Sequence, residues 1–302
     1  MRSKLLLFLK GMAMGAADVV PGVSGGTIAF ITGIYEDFLG ALASLTGDAP
    51  KQFFRGDLRG FWKTVNGPFL AVLFAGIFTS ILSLAHLIEY LMTHHAVLLW
   101  SFFFGLVVGS VYLMLRTLKT WDIAVIIALL LGTGIAYYIT IMPAATGSDS
   151  LGYLVLCGAI AICAMVLPGI SGSFILLLLG AYPTVIKAIA DRNLAEIAAV
   201  GTGAIIGLLS FSKLLKWMFD RYTTVVTALL TGFLVGSLNK LWPWKEVLES
   251  YTKHEGTAKE EVVAIVEQNI APGPDWSGAL LFALMGCAVV VVLDALGRKF
   301  KR

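Results

Sequence analysis

A chain of 302 residues that is 58% hydrophobic and only 14% charged, with a mean hydropathy of +0.86, is not a soluble domain; soluble domains run near half apolar and a quarter charged. The composition is that of a polytopic integral membrane protein, so the formal net charge of +3 matters less than where the charges fall. Cys157, Cys163 and Cys287 all lie in apolar segments and read as small buried hydrophobes rather than disulfides or metal ligands.

Residues 1–10 carry Arg2, Lys4 and Lys10 on an apolar amphipathic start. No A-x-A-like site follows, so a cleavable signal is not expected. Residues 11–45 are apolar and interrupted once, at Pro21-Gly22-Val23-Ser24-Gly25-Gly26-Thr27. A polar connector with Lys51, Arg55, Arg59 and Lys63 leads to three expected spans, at 69–92, 96–115 and 121–142. Each is long enough to cross ~30 Å of hydrocarbon at about 1.5 Å per residue. The pattern then starts again. Residues 150–186 hold no charge and are broken at Pro168-Gly169-Ile170-Ser171-Gly172-Ser173, 147 residues after the first break. Spans are expected at 195–217, 223–239 and 276–296, and an extracytoplasmic, partly helical loop over 240–275.

The repeat holds residue by residue. At a shift of 147, Gly11, Ala17, Pro21, Gly22, Ser24, Gly25, Gly33 and Tyr35 meet Gly158, Ala164, Pro168, Gly169, Ser171, Gly172, Gly180 and Tyr182. At a shift of 127, Gly76, Ser83, Gly105, Gly109 and Ser110 meet Gly203, Ser210, Gly232, Gly236 and Ser237. General apolarity explains matching leucines and valines, but not Pro-Gly-x-Ser-Gly twice.

Parity sets the topology. Thirty-seven uncharged residues would make about 55 Å of helix, far more than one crossing needs. Each broken segment (5–46 and 150–190) is therefore expected to be a hairpin that ends on the side where it began. With three further spans each half is odd, which inverts the second half relative to the first. The expected fold is an all-α polytopic membrane protein of two inverted-topology repeats, 1–149 and 150–302, each a broken helical hairpin plus three transmembrane helices. Of 22 Lys and Arg, 16 fall on the side of the termini and only Lys187, Arg192, Lys240, Lys245, Lys253 and Lys259 on the other. The positive-inside rule then places both termini in the cytoplasm.

In hydrocarbon every N–H freed by a Pro-Gly break must find a partner, so such breaks survive only inside protein or beside a polar cavity. Helices restarting at Ser24–Thr27 and Ser171–Ser173 would aim free N–H groups at that cavity, as in transporters with interrupted helices at matching positions. This points to an anion held by Ser24, Gly25, Gly26, Thr27, Ser171, Gly172 and Ser173. A packing kink is the simpler alternative. Asp18 lies three residues before Pro21, and its repeat partner is Met165. A carboxylate there either caps the loose N–H groups or carries a proton; Glu36 is a weaker proton-carrying candidate. His86 and Lys213 share a repeat position, and Arg221 and Arg116 lie by loops; these four either attract a phosphate headgroup or serve topology and snorkelling. His94-His95 has no third metal ligand in view, and neither a metal nor a cofactor is expected. No Walker lysine or H-E-x-x-H occurs, which leaves an ATP-driven pump or a metalloprotease without support.

Asp18-x-x-Pro21-Gly22-Val23-Ser24-Gly25-Gly26-Thr27 and Gly33-Ile34-Tyr35-Glu36, paired with Pro168-Gly169-Ile170-Ser171-Gly172-Ser173 and Gly180-x-Tyr182, resemble the prokaryotic polyprenyl-phosphate transporter family over nearly the whole chain. The resemblance implies a non-enzymatic plasma-membrane flippase. It would return undecaprenyl phosphate to the inner leaflet for reuse in cell-wall synthesis, with the lipid phosphate and the bilayer as partners and no nucleic acid. The second copy ends in Ser173-Phe174 where the first has Gly26-Thr27, so the half-sites need not be equivalent. Two rivals remain. A small-anion channel or exchanger would use the same helix breaks. An intramembrane lipid phosphatase would need a histidine nucleophile, and none follows either motif.

Overall fold

The structure is a computed structural model; it describes residues 2–20, 23–253 and 261–300. Pro21 and Gly22 of the first motif, and Lys259, Lys301 and Arg302 of the charge count, lie outside the described residues. The protein is an all-α polytopic membrane protein apart from one β-hairpin. In chain order the helices are α1 (Arg2–Val19), α2 (Gly25–Ile31), α3 (Tyr35–Ser44), α4 (Ala49–Phe54), α5 (Leu58–Thr64), α6 (Gly67–His94), α7 (Ala96–Thr117) and α8 (Ile123–Ile141), then α9 (Leu151–Val166), α10 (Gly172–Leu178), α11 (Tyr182–Ala190), α12 (Leu194–Ser237) and, after the hairpin, α13 (Trp276–Phe300).

Among the described residues five helices are long and apolar enough to cross a membrane: α6, α7, α8, α12 and α13. α12 has 44 residues and leaves helical geometry at Tyr222; unbroken, it would run about 66 Å, twice the hydrocarbon thickness. α10 and α11 form a pair bent by 110°. The connector after α3 is two short helices, α4 and α5, whose exposed Phe54, Leu58 and Trp62 alternate with Arg55, Arg59 and Lys63. That combination suits a membrane–water interface.

Residues 240–275 depart from expectation. They hold a two-stranded antiparallel hairpin, β1 (Lys245–Lys253) and β2 (Glu261–Asn269), rather than partial helix. Val262, Val263, Ile265 and Val266 in β2 are β-branched and favour extended backbone, and a bulge after Val247 hides the alternation of β1.

Close packing depends on glycines that meet backbone. A Cβ on Gly11 would strike the Leu73 carbonyl, and one on Gly76 the Phe8 carbonyl; their repeat counterparts Gly158 and Gly203 would strike Val200 and Val155. Leu73 and Phe8 are themselves the repeat partners of Val200 and Val155 at shifts of 127 and 147. α1 therefore packs on α6 as α9 packs on the first part of α12. α7 packs on α13 through Gly105 and Gly286, and α8 on the second part of α12 through Gly132 and Gly232. The short helices α2 and α10 end alike. Gly33 (φ 70°) and Gly180 (φ 65°) follow them, with Ile34 N–H on Ala29 O and Ala181 N–H on Leu176 O. These are Schellman caps, which need the left-handed conformation that glycine adopts without strain.

Candidate functional site

The two motif copies meet and interlock at the centre of the main core. The break at Pro168 deprives the end of α9 of its helical partners and frees the carbonyls of Met165 and Val166 and the N–H of Gly169. The first half takes up all three. Ser24 Oγ donates to Met165 O at 2.9 Å, Tyr35 Oη donates to Val166 O at 2.9 Å, and Gly169 N–H donates to Thr27 Oγ1 at 2.8 Å. A Cβ on Gly26 would lie 2.9 Å from both the Met165 and Val166 carbonyl oxygens, so glycine is what lets the two chains approach. Tyr35 was visible in the sequence only as part of a repeated Gly-x-Tyr; its hydroxyl completes this join.

The two helix starts differ. In the first half Asp18 accepts Gly25 N–H at 2.6 Å, Ser24 Oγ accepts Gly26 N–H at 3.1 Å, and Ser24 O accepts Thr27 N–H at 2.9 Å. Ser24 and Thr27 are each 1% exposed, and Gly25 and Gly26 are buried. In the second half Met165 stands where Asp18 does, and its thioether accepts only weakly. Among the described residues the N–H groups of Gly172, Ser173 and Phe174 make no hydrogen bond. Ser171 is buried, Ser173 is exposed, and their hydroxyls lie 2.8 Å apart. The first start is sealed by protein groups; the second is open.

Alongside α10, the base of the β-hairpin, the end of α8 with the loop after it, and Phe174 and Leu178 line a cavity of about 470 Å³. Lys240, Lys245 and Glu267 line it. The sequence had offered these two lysines only as charges for topology. Burial pushes the Glu267 carboxyl up, but Lys245 and Lys240 outweigh it and hold it below the usual glutamate range. Burial lowers the Lys245 ammonium to about 8, against the pull of Glu267. A carboxyl held low in the folded state contributes stability above its unfolded value and loses it as pH falls through the folded one. The hairpin base is therefore expected to loosen in acid, below about pH 4. The check is an acid transition in tryptophan fluorescence, reported by Trp100, Trp242 and Trp244, that Glu267→Gln abolishes.

The other candidates lie apart from the interlock. Glu36 is exposed in the first turn of α3. Lys213 and Arg221 are exposed on α12. Arg116 is exposed and lies 5.5 Å from the Tyr112 ring. His86 is exposed on α6, with Glu89 3.6 Å away.

Comparison with known proteins bears on the whole chain. A family model described as undecaprenyl phosphate translocase-like matches residues 14–259. A Vibrio cholerae protein named polyprenyl-phosphate transporter is 43% identical over 304 residues, covering 98% of this chain and 97% of its own length. A Staphylococcus aureus protein of the same name is 34% identical over 263 residues, covering 80% and 87%. No solved structure matches.

Proposed function

The chain belongs to the undecaprenyl phosphate translocase-like family, and from that premise we propose that it carries undecaprenyl phosphate across the plasma membrane of a prokaryote, without chemistry on the lipid. The observation that carries the mechanism is the unequal sealing of two equivalent motifs. The donors of α10 stand free, while those of α2 are held by Asp18 and Ser24.

The phosphate binds at Ser171, Gly172 and Ser173 while the interlock is closed. Backbone N–H groups and hydroxyls suit a phosphate, and a charged acceptor roughly doubles the strength of each hydrogen bond. The apolar tail stays in lipid between the helices. Opening of the interlock at Ser24–Met165 and Thr27–Gly169 would release Ser24, Gly25, Gly26 and Thr27 to take the headgroup from the other side. The two halves act as inverted repeats, a reading supported by their matched glycine contacts and by the parity of the spans. The free ends of α1 and α13 then face the cytoplasm, and the β-hairpin faces outward.

The test is binding of undecaprenyl phosphate to the purified protein, with chloride and inorganic phosphate as competitors. Losing two hydrogen bonds to a charged group, at about 1.5–3 kcal/mol each, predicts at least about a hundredfold weaker binding for the Ser171→Ala/Ser173→Ala double variant. Tight chloride binding with no lipid binding would assign the site to a small-anion channel or exchanger instead.

A further inference from the structure

The β-hairpin brings two lysines to one carboxylate oxygen. Lys240 Nζ lies 2.7 Å and Lys245 Nζ 3.2 Å from Glu267 Oε2. The side chains are 20%, 7% and 18% exposed respectively. Each ammonium also sits over an aromatic ring, Lys240 at 4.8 Å from the Phe174 centroid and Lys245 at 4.0 Å from that of Trp100. Ring faces soften the desolvation of a cation but do not neutralise it. Among the described residues, two ammoniums against one carboxylate leave one unit of positive charge in a largely buried place, lining a cavity of about 470 Å³. Such a charge is costly to keep unless something answers it.

We propose that Lys240 and Lys245 form the receiving subsite for the phosphate monoester of the lipid substrate, with Glu267 as a resident counter-anion that the phosphate displaces. The inference rests on the lipid-phosphate reading above and adds to it the group's first station, at the base of the β-hairpin and the turn before it rather than on the repeated motifs. Charge selects the occupant. A phosphate monoester carries about −1.5 to −2 near neutral pH, which matches two ammoniums once Glu267 swings out. A single negative charge, such as Glu267 itself or chloride, leaves the pair half answered. Position selects the route. Lys240 bridges Glu267 and the ring of Phe174, and Phe174 directly follows Ser173 in α10, which places the subsite along the helix that the open motif begins.

The substitutions Lys240→Ala/Lys245→Ala and Glu267→Gln separate a ligand site from a structural one, because they should act in opposite directions. Binding is measured on the full chain in nanodiscs, with undecaprenyl phosphate, undecaprenol and inorganic phosphate as separate probes. The double lysine variant should bind undecaprenyl phosphate at least tenfold more weakly and undecaprenol as wild type does. Glu267→Gln should bind the lipid phosphate several-fold more tightly, and Lys240→Arg/Lys245→Arg should restore most of the loss. Inorganic phosphate should compete only at far higher concentration than the lipid; equal affinity would assign the subsite to free phosphate and overturn the proposal. If the lysine variant binds as wild type does while Ser171→Ala/Ser173→Ala fails, the subsite is wrong and the transport reading stands. If Glu267→Gln weakens binding as much as the lysine variant, the triad is structural and the proposal falls. If wild type binds no lipid phosphate at all, both readings fall.

Discussion

Gly105→Val and Gly232→Val should each destabilise the protein by about 3 kcal/mol or more, at the severe end of what overpacking costs. The reason is geometric. A Cβ on Gly105 would enter the carbonyl of Ala283 on α13, and one on Gly232 the carbonyl of Leu129 on α8. Backbone on the far side cannot rotate away as a side chain can. In a fold with about 5–15 kcal/mol of total stability, a loss of that size removes much of the folded population. Gly134→Val supplies the control on α8 itself. Gly134 lies two residues from Gly132, but nothing lies within 4 Å of its Cβ, whereas a Cβ on Gly132 would strike the Leu229 carbonyl. The measurement is folded yield by size-exclusion chromatography, followed by thermal unfolding in detergent. Gly105, Gly132, Gly232 and Gly286 variants should fail together, and Gly134→Val should behave as wild type. A tolerated Gly105→Val would mean that α7 and α13 do not approach as closely as the structure has them.

These contacts tie the repeat in the sequence to packing in space. Glycines sit where helices of the two halves cross, Gly105, Gly109 and Gly286 at the α7–α13 contact and Gly132, Gly232 and Gly236 at the α8–α12 contact. Gly105 and Gly232 were legible as a repeated small-residue pair, but a sequence does not say which helix each one faces. The breaks were legible for a firmer reason: proline and glycine inside uncharged apolar sequence cannot continue a helix, and hydrocarbon leaves no other account of them. What the breaks join was not legible. Ser24 satisfies a carbonyl 141 residues away, and nothing local to Ser24 reports that. The inequality of the two motifs was half visible. Asp18 and Met165 differ at one repeat position, and that difference accounts for the capped Gly25 N–H in one copy and the unbonded Gly172 N–H in the other. The two lysines were invisible as a group, because strand pairing brings Glu267 back beside Lys245 and the turn after α12 brings Lys240 to the same carboxylate.

Asp18→Asn and Asp18→Ala should part company, and the difference separates capping from proton carriage. Asp18 accepts Gly25 N–H at 2.6 Å, and a Cβ on Gly25 would lie 2.5 Å from the other carboxyl oxygen, so the carboxyl fills its niche. Asparagine keeps an oxygen acceptor there and loses only the charge and the proton. Alanine leaves a buried N–H without a partner, at a cost of about 1–3 kcal/mol, and opens the sealed start of α2. Asp18→Ala is therefore expected to lose most transport, by tenfold or more, and to lower thermal stability. Asp18→Asn is expected to fold and to bind undecaprenyl phosphate as wild type does. If Asp18 carries the coupling proton, transport by Asp18→Asn also loses its dependence on external pH while binding persists. Transport of a fluorescent polyprenyl phosphate in proteoliposomes, measured across pH and with an imposed proton gradient, reads both effects. An Asp18→Asn profile that follows wild type at every pH would remove Asp18 from coupling and leave it as the cap that holds one motif shut while the other stands open. Both roles need a carboxyl in the first half and none in the second, because two sealed starts would leave the headgroup nowhere to enter.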